Sequence, residues 1–321
     1  MRRLDDPYFD ILPETQSGML DVGDGHEIYW EEAGNPDGIP VILIHGGPGG
    51  RTQPGFRRSL DSNIWRVIQF DQRGCGRSTP EGLIEANSLQ HTIADMEALR
   101  EHLEIDRWVV AGGSWGSTVT LAYGIAHPGN CLALTLISMW LCRDEDIHWW
   151  FQGVRYLFPE LWHEFARHVP EAERSDLRTA YCARILDGEQ EIADEFATRL
   201  YQYEEGFMRF AAPVVPLDLS RGPKYGRIFA HYARNKFFVA GDELLDGASA
   251  IAHLPVKIIT GRYDCCTTPS NAFDLSQRLP EADITLVAGA GHYPTEERMS
   301  LVCLEKTSEL ADELQASGWR A

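Results

Sequence analysis

The stretch Gly112-Gly113-Ser114-Trp115-Gly116-Ser117 directly follows the apolar run Trp108-Val109-Val110-Ala111. Its first five residues read G-x-S-x-G, and Thr118 to Ala126 after them can form a helix. A strand-to-helix turn this sharp needs glycines beside the serine, because larger side chains would clash. It lifts the serine hydroxyl above the sheet and aims the next backbone N–H at the same point. A glycine-rich turn that merely packs would give the same five residues. The choice therefore depends on what else the chain supplies.

Working outward, similar apolar runs recur. Val41-Ile42-Leu43-Ile44 stops at glycines and Trp65 to Phe70 stops at Asp71. Leu132 to Ile137, Val256 to Thr260 and Ile284 to Val287 complete the set, with Glu27 to Trp30 as a further strand. Short unbroken apolar strands are buried on both faces, as in a parallel sheet covered by helices. Helical text lies between them. Thr92 to Leu103 puts Ile93, Met96, Leu99 and Leu103 on one face, and Asn271 to Leu279 and Ser300 to Leu314 are similar. The alternation predicts a doubly wound α/β sheet. Strand signals vanish between Leu141 and Ala250, where HWWFQGVRYLF, LWHEFARHV and the Glu191 to Glu205 segment read as helices. The expected organisation is an α/β core over 1–140 and 251–321 with a helical cap over 141–250.

Composition narrows the function. The chain has 321 residues, 44% hydrophobic and 24% charged, enough for a sizeable core. A net charge of −19 argues against nucleic acid and anionic membrane as partners. It favours solubility and is compatible with an amine-bearing substrate. Seven cysteines, odd in number and without a CxxC pair, point to neither a disulfide framework nor a zinc site. Reduced thiols fit a cytoplasmic protein. MRRLDDPYFD has no apolar stretch of the secretory kind, and no run long enough to span a membrane follows.

A serine nucleophile needs a base, and the base an orienting acid. The strand ending Ile258-Ile259-Thr260-Gly261 leads to Asp264, and the strand Ile284 to Val287 leads to Gly289-Ala290-Gly291-His292. Both follow strand C-termini, where ligands bind in open α/β sheets. The order nucleophile, acid, base is that of α/β hydrolases, which makes Ser114, Asp264 and His292 the expected triad. Asp242 and Asp246 are rival acids in helical text. His45-Gly46-Gly47-Pro48-Gly49-Gly50 after the strand ending at Ile44 has the glycines an oxyanion loop needs. The expected donors are the backbone N–H groups of Gly47 and Trp115, with His45 structural. A phosphate-cradling loop fails for want of Lys-Ser/Thr or a GxGxxG spacing. Asp71-Gln72-Arg73-Gly74-Cys75-Gly76-Arg77-Ser78 is expected to shape the loops beneath the site, and Cys75 lacks an elbow of its own.

Together HGGPGG, DQRGCGRS, GGSWGS, GRYD and GAGH resemble the proline iminopeptidase family of α/β hydrolases, in order and spacing from about Asp21 to Glu297. GNPDG at Gly34 to Gly38 and IHWWFQ also fit. The resemblance implies an α/β-hydrolase fold with an inserted helical cap, cleavage of an N-terminal proline or other small residue from a peptide, and no metal or other cofactor. A buried α-amino group needs carboxylate partners, since an unpaired buried charge is costly. The family supplies glutamates from its cap, and Tyr203-Glu204-Glu205-Gly206 matches one such stretch, which makes Glu204 the amine-binding candidate. A solvated helix acid is the alternative for Glu204. The second family glutamate falls at Arg234 here, and no glutamate lies between Gly206 and Asp242. Arg234 is expected either to pair with Glu204 or to bind a substrate carboxylate, leaving Glu204 or Glu205 to hold the amine.

Three readings follow. The first is a serine aminopeptidase acting on a small peptide or amide with a free amine, with Trp149 and Trp150 walling a proline pocket or forming cap core. The second, motivated by Arg234, is an amidase or esterase acting on a small non-peptide substrate. The third is a catalytically silent binding protein on this fold, against which the complete Ser, Asp and His set argues. Dehalogenase and epoxide hydrolase chemistry is disfavoured, because those enzymes need aspartate where the elbow carries Ser114.

Overall fold

The apolar runs become the inner strands of one sheet. In the computed structural model, which describes residues 9, 13–208 and 216–319, eight strands form it. They are β1 (Gln16–Asp21), β2 (Glu27–Gly34), β3 (Ile39–Ile44), β4 (Trp65–Phe70), β5 (Trp108–Gly113), β6 (Cys131–Ile137), β7 (Val256–Gly261) and β8 (Asp283–Val287). Apart from Phe9, the opening MRRLDDPYFD lies outside the described residues. The spatial order is β1-β2-β4-β3-β5-β6-β7-β8. β1 pairs antiparallel with β2, and β2 with β4, while the remaining strands run parallel. β1 carried no clear strand signal, because QSGMLD lies at the sheet edge with most of its residues exposed and lacks a continuous apolar run.

The order reverses between β3 and β5. From β3 the chain moves outward to β4 and then returns to the other side of β3 as β5. Such a switch point leaves a crevice at the strand C-termini. Ile44 lies opposite Gly112, and Gly113 opposite Ile137, so the loops leaving β3, β5 and β6 emerge level with one another.

Period-two alternation divides the strand side chains between two layers. Ile42, Ile44, Ile68, Val110, Leu134 and Leu136 pack in one cluster with Met96 and Leu99 of α1 (Leu89–His102) and Val119 of α2 (Trp115–Ala126). Ser88 caps α1 by accepting the His91 N–H. Between β6 and β7, among the described residues, the elements are helical: α3 (Asp144–Phe151), α4 (Pro159–Ala166), α5 (Leu177–Asp187), α6 (Gln190–Met208), α7 (Gly222–Arg234) and α8 (Glu243–Gly247), with short 3-10 turns. Their aromatic residues pack on one another and are continuous with the cluster on this face of the sheet. Phe165 stacks on Tyr181 and Tyr203, at centroid distances of 3.9 and 4.0 Å, and Trp150 packs on Tyr203, Phe207 and Phe229. α8 instead packs against α2 and α9 (Pro269–Arg278), on the sheet side. The opposite face of the sheet is covered by α10 (Glu297–Ala316), where Leu310, Ala311 and Leu314 meet Val41, Val67 and Val109, and by the 3-10 turn Pro54–Ser59. No helix among the described residues is long and apolar enough to cross a membrane.

Candidate active site

β5 delivers Ser114 to the switch point and α2 begins on the next residue. Ser114 has φ 57° and ψ −129°, a left-handed conformation that costs a non-glycine residue about 1–3 kcal/mol. Its surroundings enforce it. Ser114 N–H donates to the Ile137 carbonyl at 3.0 Å. A Cβ on Gly112 would lie 2.2 Å from the Gly116 carbonyl oxygen, and one on Gly116 would lie 2.3 Å from that of Ile44. The two outer glycines of the motif therefore answer to backbone contact on either side of the turn.

His292, after β8, and Asp264, after β7, meet beside it. His292 Nδ1 lies 2.9 Å from Asp264 Oδ2 and 3.0 Å from Oδ1. Asp264 also accepts the backbone N–H groups of Cys266 and Thr267 at Oδ1, each at 2.9 Å, and the Thr267 hydroxyl at Oδ2. This aspartate is buried and accepts from every side, so it fixes the ring and assigns the Nδ1 proton. Nε2 is left as the free nitrogen of a ring that shares a cavity with Ser114. Ser138 Oγ, just past β6, donates to the His292 carbonyl at 3.1 Å and steadies the loop.

The loop after β3 lies against the nucleophile, since a Cβ on Gly46 would stand 3.3 Å from Ser114 Cβ. Gln72 binds the loop to the elbow. Its backbone N–H donates to His45 Nε2 at 3.0 Å, its side-chain amide donates to the His45 carbonyl at 2.9 Å, and its carbonyl accepts Trp115 Nε1 at 2.9 Å. His45 Nδ1 in turn donates to the Gly46 carbonyl at 2.8 Å, and burial lowers the ring's pKa. The expected donors Gly47 and Trp115 sit on two segments fastened by one glutamine. Nearby, buried Asp71 accepts the N–H groups of Thr52 and Arg77, at 2.6 and 2.8 Å, and Arg73 grips Asp95 with two bonds of 2.7 and 2.8 Å. Cys75 is buried, which pushes its thiol pKa far above the ordinary range, so it is no nucleophile.

A cavity of about 440 Å³ opens over these loops, and Gly46, Gly47, Ser114, His292, Glu204 and Glu205 all line it. Glu204 is 3% exposed. Tyr225 Oη donates to its Oε2 at 2.5 Å, and burial pushes its pKa up to about 8, with the neighbouring Glu205 acting in the same direction. Glu205 accepts from Tyr293 Oη at 2.8 Å, and Tyr293 is the residue after the base. Tyr225 and Tyr293 had no sequence signal beyond Tyr293's place beside His292.

Arg234 is elsewhere. It was expected to pair with Glu204 or to bind a substrate carboxylate, yet its guanidinium bonds Asp187 Oδ1 and Oδ2 at 3.0 and 2.5 Å and the Cys182 carbonyl at 2.9 Å. It ends α7 on the α5 side, where Asp187 closes α5, and it is not among the residues lining the cavity. Trp150 is core of the helical layer, and Trp149 Nε1 donates to the Cys265 carbonyl at 2.8 Å; neither lines the cavity.

A serine on a strained elbow at the switch point of this sheet, with Asp264 holding His292 beside it, defines a serine hydrolase of the α/β-hydrolase class. Residues 39–298 match the sequence profile of the alpha/beta hydrolase fold family. Within that class the chain is 41% identical over 298 residues to a probable proline iminopeptidase of Leptolyngbya boryana, covering 91% of this chain and 92% of that one. It is 40% identical over 300 residues to a proline iminopeptidase of Arabidopsis thaliana, covering 91% and 79%. The chain belongs to the proline iminopeptidase family. The solved proline iminopeptidase of Mycobacterium smegmatis shares its fold, with a TM-score of 0.63 at 21% identity over 94% of this chain and 100% of that one.

Proposed function

We propose that this protein is a serine aminopeptidase that releases an N-terminal proline, or another small residue, from short peptides. The observation that carries this reading is that Glu204 and Glu205 share a cavity with Ser114 and His292. A substrate ammonium held by the two carboxylates brings the first carbonyl to the serine, whereas a blocked N-terminus leaves them without a cation. His292 Nε2 takes the Ser114 Oγ proton as the oxygen attacks that carbonyl. The N–H groups of Gly47 and Trp115 receive the developing oxyanion. His292 then returns the proton to the leaving amine, and the same ring activates the water that hydrolyses the acyl-enzyme. Tyr225 and Tyr293 position the two glutamates. Within residues 141–250, the helices α3 to α7 act as the cap that carries the amine site, between core segments 1–140 and 251–321, while α8 packs with the core. The seven free thiols, all but one buried, fit a reducing cytoplasm.

The test is a panel of aminoacyl-naphthylamides with free and blocked N-termini. Strong preference for free proline, abolished in Ser114→Ala, is the expected result. Equal turnover of the blocked compounds would remove the aminopeptidase reading and leave an amidase or esterase. Failure of wild-type Ser114 to react with a fluorophosphonate would remove hydrolysis altogether.

A further inference from the structure

Glu204 and Glu205 are not the only charged groups on the cavity above Ser114. Arg51 and Arg221 line it as well, and both also border a smaller adjoining recess with Glu81 and Lys224. Lys224 is committed there, since its ammonium pairs with Glu81. The guanidiniums of Arg51 and Arg221 make no hydrogen bond or ion pair with any described residue. The Arg221 guanidinium carbon stands 6.0 Å from the centre of the Tyr201 ring, another wall of the cavity. Asp218 feels both charges: its pKa is lowered first by hydrogen bonds from Ser220 and then by Arg221 and Arg51. One carboxyl group thus lies within electrostatic reach of both arginines. Asp218 itself is exposed and engaged with Ser220, whose hydroxyl donates to its Oδ1 at 2.6 Å.

Chain geometry starts both arginines close to the nucleophile. Gly46 lies against Ser114, and a Cβ on Gly50 would stand 2.3 Å from the Gly46 carbonyl oxygen, so the loop closes on itself. Arg51 follows one Cα step further on, ~3.8 Å. Arg221 precedes α7, one turn before Tyr225. Tyr225 separates the two kinds of charge. Its hydroxyl donates to Glu204, while its backbone carbonyl packs on Gly49, where a Cβ would come within 2.8 Å. The carboxylates stand at the far end of this side chain, and the guanidiniums start from its backbone end. The cavity therefore carries acid on the α6 side and base on the side of the loop after β3.

We propose that Arg51 and Arg221 bind the C-terminal carboxylate of the substrate, so that the favoured substrates are dipeptides and tripeptides with both termini free. This rests on the aminopeptidase reading, in which the α-ammonium sits at Glu204 and Glu205. A guanidinium presents a planar fork of donors that matches a carboxylate. A chain of net charge −19 otherwise repels a peptide carboxylate, so two uncommitted cations on the catalytic cavity reverse the local field where the leaving peptide ends. Two or three residues span roughly 7–10 Å when extended, and a longer peptide carries its carboxylate past the pair.

The experiment measures kcat/KM for prolyl-alanine and prolyl-alanyl-alanine, each as the free acid and as the C-terminal amide, with proline naphthylamide alongside. The readout is the ratio of acid to amide within one protein, which cancels any general loss of activity. The wild-type ratio is expected to be about 10 or more, carried by KM, because a carboxylate remote from the reacting bond is held equally in ground and transition states. Arg51→Gln and Arg221→Gln are each expected to lower the ratio, and the double variant to bring it to about 1. Lys224→Gln, whose ammonium pairs with Glu81, is expected to leave it unchanged. A wild-type ratio near 1 overturns the proposal. So does a double variant that loses acid and amide turnover equally, or a Lys224→Gln ratio that falls as far as that of the double variant. If the aminopeptidase reading itself is wrong, none of the prolyl compounds is turned over, the naphthylamide included, and the carboxylate pair falls with it. If only the pair is wrong, acids and amides are cleaved alike.

Discussion

Replacing Glu204 with glutamine tests the amine site from both the folding and the catalytic side. The side chain is 3% exposed, accepts from Tyr225 at 2.5 Å, and has its pKa raised from 4.5 to about 8, first by burial. Between those two values the folded chain keeps a proton that the unfolded chain has released. Wild-type stability from this group is therefore full below about pH 4.5 and falls as pH rises through about 8. Each tenfold rise in proton affinity is worth about 1.4 kcal/mol, so the whole displacement amounts to a ceiling of about 5 kcal/mol. Glutamine keeps the shape and removes the titration. Relative to wild type, Glu204→Gln is expected to become steadily more stable from pH 5 to about pH 8, and to level off above it, in urea denaturation. Turnover moves the other way. A substrate ammonium draws the proton off Glu204 and gains a charge-assisted bond worth about 1.5–3 kcal/mol, so the variant is expected to lose roughly 10- to 150-fold in kcat/KM on proline naphthylamide. Parallel stability curves for the two proteins across that pH range would refute the burial argument. An unchanged kcat/KM would refute the amine site.

Asp264→Asn leaves the loop folded but no longer fixes the Nδ1 proton of His292, and kcat is expected to fall about 10⁴-fold with an unaltered thermal melt. A loss below about 10-fold would show that Asp264 does not orient the ring. Gly116→Ala puts a methyl 2.3 Å from the Ile44 carbonyl oxygen, where only backbone can yield. The expected cost is about 1–3 kcal/mol in denaturant midpoint analysis, with fluorophosphonate labelling of Ser114 lost. Arg234→Glu breaks a pair whose members are 38% and 63% exposed, so stability is expected to change by about 0–1 kcal/mol. Proline turnover should stay within about 2-fold, and a clear rise or fall would place Arg234 at the site after all.

The inner strands were legible because being buried on both faces forces an unbroken apolar run, and β4 has the limits its sequence indicated. β1 was not, because an exposed edge strand is under no such constraint. The elbow was legible because its glycines answer to contacts within the motif and with the adjoining strand. Asp264 and His292 were legible by their places after β7 and β8. The carboxylate site was only half legible. The sequence offered Glu204 and Glu205 but gave no sign that Tyr225 and Tyr293 would hold them, since Tyr293 and Glu205 stand 88 residues apart.

Chain order and local sterics thus determined, by themselves, an α/β sheet with Ser114 at its switch point and Asp264 and His292 after later strands. Tertiary packing decided everything that depends on where a side chain ends up after helices dock. It turned Arg234 toward Asp187 and buried Glu204 against Tyr225. A helix-end arginine carries no local signal of its partner. That partner is set by the packing of elements far apart in the chain.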